Sequence, residues 1–154
     1  MLSAEEVREI EAETTRYPRR DAACIDALKI VQRHRGWISD EGIRDVAGLL
    51  NMSADEVDGI ASFYSLLFRK PVGRHVILLC DSVSCWVMGY ETMRRRLEEL
   101  LQIKLGETTP DDRFTLLPIV CLGCCDRAPA MLVDRDLHVN LDGETIGRVL
   151  GKYS

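Results

Sequence analysis

The chain has 154 residues, enough for one ordinary domain plus a modest extension, with a core that needs no staples. Twenty-five acidic against 20 basic residues give a net charge of −5, and the one short basic run, Arg94-Arg95-Arg96, falls inside a helical pattern, which argues against nucleic acid as a partner. The longest apolar stretches, around residues 76–79 and 116–121, are far shorter than the ~20 residues a membrane span needs, and the first ten residues show neither a secretory apolar run nor an Arg-rich, acid-poor leader. The expected setting is a reducing cytoplasm without membrane insertion, where spaced cysteines mean metal or redox chemistry more often than structural disulfides.

Up to residue 70 the apolar spacing is helical. A first helix is expected around residues 4–14. Residues 21–35 place Cys24, Ala27, Leu28 and Val31 on one stripe, with Gly36 as the stop. Ser39 can cap the next helix, whose apolar face is Ile43, Val46, Ala47 and Leu50. Ser53-Ala-Asp-Glu56 reads as a capping box opening another, expected to bury Val57, Ile60, Ala61 and Tyr64. These segments predict a small helical bundle over residues 1–70, near the lower size limit for independent stability and expected to lean on a partner. It is the expected docking element.

From residue 71 the pattern alternates between strand and helix. Residues 75–79 form a short apolar run typical of a buried strand. Residues 88–102 are helical, with Met93, Leu97, Leu100 and Leu101 expected inward and Arg94, Arg95, Glu98 and Glu99 outward. A second strand is expected at 114–120, a hairpin at 130–133 and 137–139 around Asp134-Arg-Asp136, and a last helix at 142–150. A β-α-β unit followed by β-β-α is the thioredoxin-like order. The predicted class is therefore α+β, a helical bundle at 1–70 followed by a thioredoxin-like domain at 71–154.

The chemistry sits in the cysteines, of which there are six. Cys80 and Cys85 are separated by four residues, and Cys121 and Cys125 by three, with 35 residues between the pairs. Each pair follows a predicted strand, so parallel strands would bring both to one end of a sheet. Cys85 opens a predicted helix, where the dipole and free N–H groups favour a thiolate. The loop Asp81-Ser-Val-Ser84 offers amides and hydroxyls to cluster sulfurs, and Gly123 permits the tight turn a short chelate needs. Two thiolate pairs match the two ligands per iron of a [2Fe–2S] cluster.

Three rivals stay open at this point. Four cysteines also hold structural zinc, although zinc knuckles are usually tighter and belong to smaller folds. Cys121-Leu-Gly-Cys124 is formally a C-x-x-C dithiol, but it follows the second strand of the unit rather than the first. The cysteines can also be small buried hydrophobes, the expected role of Cys24. Cys124 adjoins Cys125, and either can in principle ligate. His34, His75 and His138 lack ligand spacing, and no nucleotide-binding or Ser/His/Asp signature is present.

The motifs themselves are family-like. Pro71-Val-Gly-Arg-His75, Cys80-Asp-Ser-Val-Ser-Cys85-Trp86 and Cys121-Leu-Gly-Cys124-Cys125-Asp-Arg-Ala-Pro129 resemble the NuoE family, the thioredoxin-like [2Fe–2S] subunits of NADH:quinone oxidoreductase, respiratory complex I. Arg33-His-Arg-Gly-Trp37, Ala61-Ser-Phe-Tyr-Ser65, Gly106-Glu-Thr-Thr-Pro110 and Arg113-Phe-Thr-Leu116 are similar too, so the resemblance spans about residues 17–150. It implies one [2Fe–2S] cluster on Cys80, Cys85, Cys121 and Cys125. It implies a NuoF-type flavoprotein partner that carries NADH and FMN, and a large NuoG-type multi-cluster partner. The place would be the peripheral arm of a membrane-bound complex, on the cytoplasmic side of the inner membrane. The implied role is one-electron exchange with FMN, off the main path to quinone, with no active site of its own. Cys124 departs from the pattern, since relatives often carry a small or polar residue there. The alternatives are the equivalent diaphorase subunit of an NAD-linked hydrogenase or formate dehydrogenase and, from another class, a zinc-stabilised interaction module.

Overall fold

The computed structural model describes residues 1–153. The chain divides into two compact units, Met1–Pro71 and the residues from Val72 on.

The first unit is helical: α1 Ala4–Thr14, a 3₁₀ turn Arg20–Ala23, α2 Cys24–Arg35, α3 Asp40–Leu50 and α4 Ala54–Phe63. Serines set three of the starts. Ser3 and Ser53 form complete capping boxes with Glu6 and Glu56, and the Ser39 hydroxyl accepts from the Gly42 N–H. Apolar stripes from the helices meet in one core, with Ile10, Leu28, Val31, Ile38, Val46, Leu50 and Val57 fully buried. Cys24 lies in this core, and burial pushes its thiol up to about 11, so it behaves as a small hydrophobe. The Gln32 amide donates to Leu66 O (2.9 Å) and accepts from the Phe68 N–H (2.6 Å), which pins the segment after α4 onto α2.

Two expectations need correcting here. The helix expected over residues 21–35 starts at Cys24, behind the 3₁₀ turn. Tyr64, expected inward, caps α4 in an extended conformation and is 43% exposed, beside exposed Phe63 and Leu66. The helix has ended, so the periodicity no longer governs where Tyr64 points.

The second unit is a mixed four-stranded sheet with helices: β1 His75–Cys80, α5 Val83–Val87, α6 Tyr90–Leu101, β2 Phe114–Ile119, β3 Met131–Val133, β4 Asp136–His138 and α7 Gly143–Leu150. The strand order is β2-β1-β3-β4. β1 and β2 run parallel with His75 opposite Phe114 and Cys80 opposite Ile119, while β3 is antiparallel to β1 and to β4. Ile77 and Leu79 of β1 share a core with Leu97, Phe114, Leu116, Met131, Val133 and Ile146. Along the outer side of β2, Thr108 bridges antiparallel to Thr115, and the Gly106 N–H donates to Leu116 O (2.7 Å). That contact covers an otherwise open strand edge. The buried Thr115 hydroxyl also accepts from the Gly73 N–H at 2.7 Å, fixing the chain just before β1.

On α6 the expected faces shift. Leu100 is 39% exposed, whereas Glu98, expected outward, is buried and paired with Arg94 (3.0 Å) and Lys104 (3.2 Å). A carboxylate with two cationic partners can be sheltered where a lone one cannot.

Candidate metal centre

The parallel pairing of β1 and β2 decides where the cysteines meet. Both strands end at the same edge, and the chain leaves β1 at Cys80 and β2 just before Val120 and Cys121. The Asp81 N–H donates back to Ile119 O at 3.0 Å, and the Cys80 N–H to Ala130 O at 3.1 Å, so the two loops and the start of the hairpin are tied together. The second loop is further held by the Arg127 N–H on Cys124 O (2.9 Å) and the Asn140 N–H on Arg127 O (2.8 Å).

The first pair is interior. Cys80 and Cys85 are 3% and 2% exposed and pack with Cys124, Ala128 and Ala130 in a small apolar cluster. Cys85 lies within the short helix α5, so Val83 and Ser84, expected in the preceding loop, are already helical. Burial, with the Cys80 thiol beside it, pushes the Cys85 thiol up to about 11. Such a thiol stays protonated until a cation supplies the opposing charge, and then loses its proton outright.

The second pair is exposed. Cys121 Sγ and Cys125 Sγ lie 3.8 Å apart, and the Gly123 N–H donates to Cys121 Sγ at 3.3 Å. Gly123 has φ +74°, a left-handed conformation that turns its amide back onto the sulfur. That amide first, and then the Cys125 thiol, hold Cys121 below the ordinary thiol value; Ser82 and Cys80 add to the effect from the first loop. The N–H donor to Cys121 thus comes from its own loop, while the first loop contributes through the Ser82 side chain.

The donor set fits an iron–sulfur group: four soft sulfurs in two chelating pairs, with Cys80 and Ser82 beside Cys121. Among the described residues no three His, Cys, Asp or Glu side chains close around one point as a single ion requires. The remaining two cysteines go elsewhere, Cys24 to the helical core and Cys124 to the wall behind Cys80 and Cys85. The histidines are spent locally: His34 on Glu9 (3.3 Å), His75 on Asp134 (2.7 Å) and His138 on Tyr153 (2.8 Å).

The cysteine loops also carry exposed apolar side chains, Val83, Trp86, Val87, Met88 and Val120. Trp86 stacks on the buried Tyr90 ring at 5.2 Å. No helix among the described residues is long and apolar enough to cross a membrane.

A helical unit ahead of this sheet in the chain, with two cysteine pairs at one strand edge, defines a class. The chain belongs to the thioredoxin-like [2Fe–2S] ferredoxin family, whose pattern matches residues 10–154. It is 51% identical over 152 residues to the E subunit of NADH-quinone oxidoreductase of Escherichia coli (strain K12), covering 99% of this chain and 92% of that protein. The E subunit of the Pseudomonas aeruginosa oxidoreductase is 45% identical over 153 residues, with 99% and 92% covered. Among solved structures the chain is similar to NAD+-reducing [NiFe]-hydrogenase in the H2-reduced state, with a TM-score of 0.68 and 25% identity. That match covers 82% of this chain and 22% of the hydrogenase chain, so the likeness is to one segment of a longer protein.

Proposed function

We propose that this chain is the electron-carrying [2Fe–2S] subunit of an NADH:quinone oxidoreductase, with Cys80, Cys85, Cys121 and Cys125 as the four ligands. The observation that carries the reading is the Cys121–Cys125 pair at 3.8 Å beside Cys80, at the common end of two parallel strands. The near-full-length similarity to the two bacterial E subunits supports the same assignment. When bound, the cluster supplies reversible one-electron chemistry, in exchange with FMN on a partner subunit.

The chain's own part is to hold and tune. Cys80 and Cys85 anchor from a dry wall of Ala128 and Ala130, which lowers the local dielectric. The Gly123 N–H, already on Cys121 Sγ, stabilises negative charge on sulfur, the lever that tunes an iron–sulfur potential. The exposed second pair leaves an open side toward a partner. NADH and FMN belong in this reading to a NuoF-type flavoprotein, and a NuoG-type multi-cluster subunit completes a peripheral arm on the cytoplasmic side of the membrane. Exposed apolar side chains support an assembled subunit in both the helical domain 1–70 (Phe63, Tyr64, Leu66) and the cluster domain 71–154 (Val83, Trp86, Val87). The likeness to the hydrogenase favours a second reading, the same role in an NAD-linked hydrogenase, but its identity is half that of the Escherichia coli relative.

The test is iron, sulfide and low-temperature EPR on protein purified without oxygen, before and after dithionite. A signal of roughly one spin per chain that appears only on reduction, and is lost in the Cys80→Ala/Cys85→Ala double variant, is expected. Stoichiometric zinc with no sulfide would overturn the assignment in favour of an interaction module.

A further inference from the structure

Around the proposed cluster stand five thiols, one more than a [2Fe–2S] centre uses. The fifth, Cys124, is 5% exposed and packs against Cys80 and Cys85, the two buried ligands, in one cluster. Its thiol has no hydrogen-bonding partner among the described residues, and its cluster holds Cys80, Cys85, Ala128 and Ala130, with Ile119, Leu122 and Val139 packed against it. A cysteine serving only as filler would be equally content in either hydrophobic core, as Cys24 is in the helical one. Cys124 instead sits at the one place in the second unit where sulfur ligands converge.

The loop geometry keeps Cys124 close to the position of Cys125. The two are adjacent in sequence, and Cys125 opens the single 3₁₀ turn Cys125–Arg127. Gly123, immediately before them, has open space where a Cβ would stand. Exchange requires a shift of one residue in this loop, with Cys121, Cys80 and Cys85 keeping their places. The two-per-loop pattern is then retained.

We infer that Cys124 is a reserve ligand, which takes the iron position of Cys125 when that thiol is removed by substitution. In the exchange the Cys124 S–H bond breaks, its proton goes to solvent, and an iron–Sγ bond forms where the Cys125 bond had been; no electron is transferred. Cys125 is the exposed member of the adjacent pair, whereas Cys124 is buried. The inference rests on the cluster assignment above.

The experiment uses the full chain with the cluster reconstituted from ferrous iron and sulfide under argon, in wild type, Cys124→Ala, Cys125→Ala and Cys124→Ala/Cys125→Ala. Alanine is preferred to serine because an alkoxide can itself bind iron. Cys125→Ala is expected to keep most of the wild-type iron and sulfide with shifted EPR g-values, Cys124→Ala to match wild type, and the double variant to lose the cluster. A Cys125→Ala protein as empty as the double variant would overturn the inference, provided circular dichroism shows both folded. Loss of the cluster in Cys124→Ala alone would overturn it too, since a reserve ligand is dispensable. An empty wild type, by contrast, would remove the cluster assignment itself.

Discussion

Glu6 joins two helices of the first unit, and its charge can be removed with little change in shape. Its carboxylate accepts from Arg35 Nε at 2.6 Å, from Arg35 Nη2 at 2.7 Å and from the Ser3 N–H at 2.7 Å, while the residue is only 2% exposed. The Arg35 guanidinium, working against burial, brings the carboxyl from its ordinary 4.5 down to about 2. A folded value below the unfolded one means stability that is fully present above about pH 4.5 and is lost as the pH falls toward 2. The difference of about 2.5 pH units corresponds to about 3 kcal/mol at 1.36 kcal/mol per unit. Arg35 is partly open to solvent, which screens the pair, so the expected loss in Glu6→Gln is about 2–3 kcal/mol at pH 7. Glutamine keeps an acceptor for the Ser3 N–H and so the capping box, while its NH2 replaces the oxygen that accepted from Arg35 Nε, so the change removes the charge and that hydrogen bond together. Hydrogen exchange at the amides of α1 and α2 in the full chain reads this unit separately. Protection should fall on the order of 30- to 150-fold at pH 7, and the gap between wild type and variant should close as the pH falls from 4.5 toward 2. A loss under about 0.5 kcal/mol, or a gap unchanged at low pH, would refute the reasoning.

Three further changes probe the second unit. A Cβ at Gly73 would stand 2.8 Å from Asp112 O and 3.2 Å from two more backbone atoms, so Gly73→Ala should destabilise by about 1–3 kcal/mol in thermal unfolding. An unchanged midpoint would mean that the chain before β1 yields freely. Asp142 caps α7 by accepting from the Glu144 and Thr145 N–H groups, and Asp142→Ala should cost about 1 kcal/mol. Because the Thr145 hydroxyl and N–H hold its carboxyl below 3.8, that cap should weaken only in more acidic solution, which urea unfolding at several pH values checks. At Gly123 a new Cβ meets nothing, so Gly123→Ala should cost only the backbone strain of φ +74°, about 1–2 kcal/mol, and release iron faster to a chelator. Equal release rates would show that the turn does not position Cys121.

Much of this architecture is legible in local chemistry. Ser3, Ser39 and Ser53 start helices because a hydroxyl accepts a free N–H a turn ahead, and that depends on residues three apart. The hairpin around Asp134 and Arg135, the strands at 75 and 114 and the paired spacing of the four cysteines are equally local. The misses fall where distant groups decide. Glu98 is buried because Lys104 and Arg94 both reach it, and Tyr64 is exposed because α4 stops one residue before it.

Residue order alone therefore carried the type and succession of the elements, the family likeness and the set of sulfur donors. How those donors are disposed came from the folded chain. The parallel register of β1 and β2 brings the two loops to one edge, leaving Cys80 and Cys85 dry and Cys121 and Cys125 exposed. Only the folded chain shows Cys124 turned inward against the first pair. The division follows from range: caps, turns and helical periods are settled within a few residues, whereas burial and convergence sum over segments roughly 40 residues apart that only strand pairing brings together.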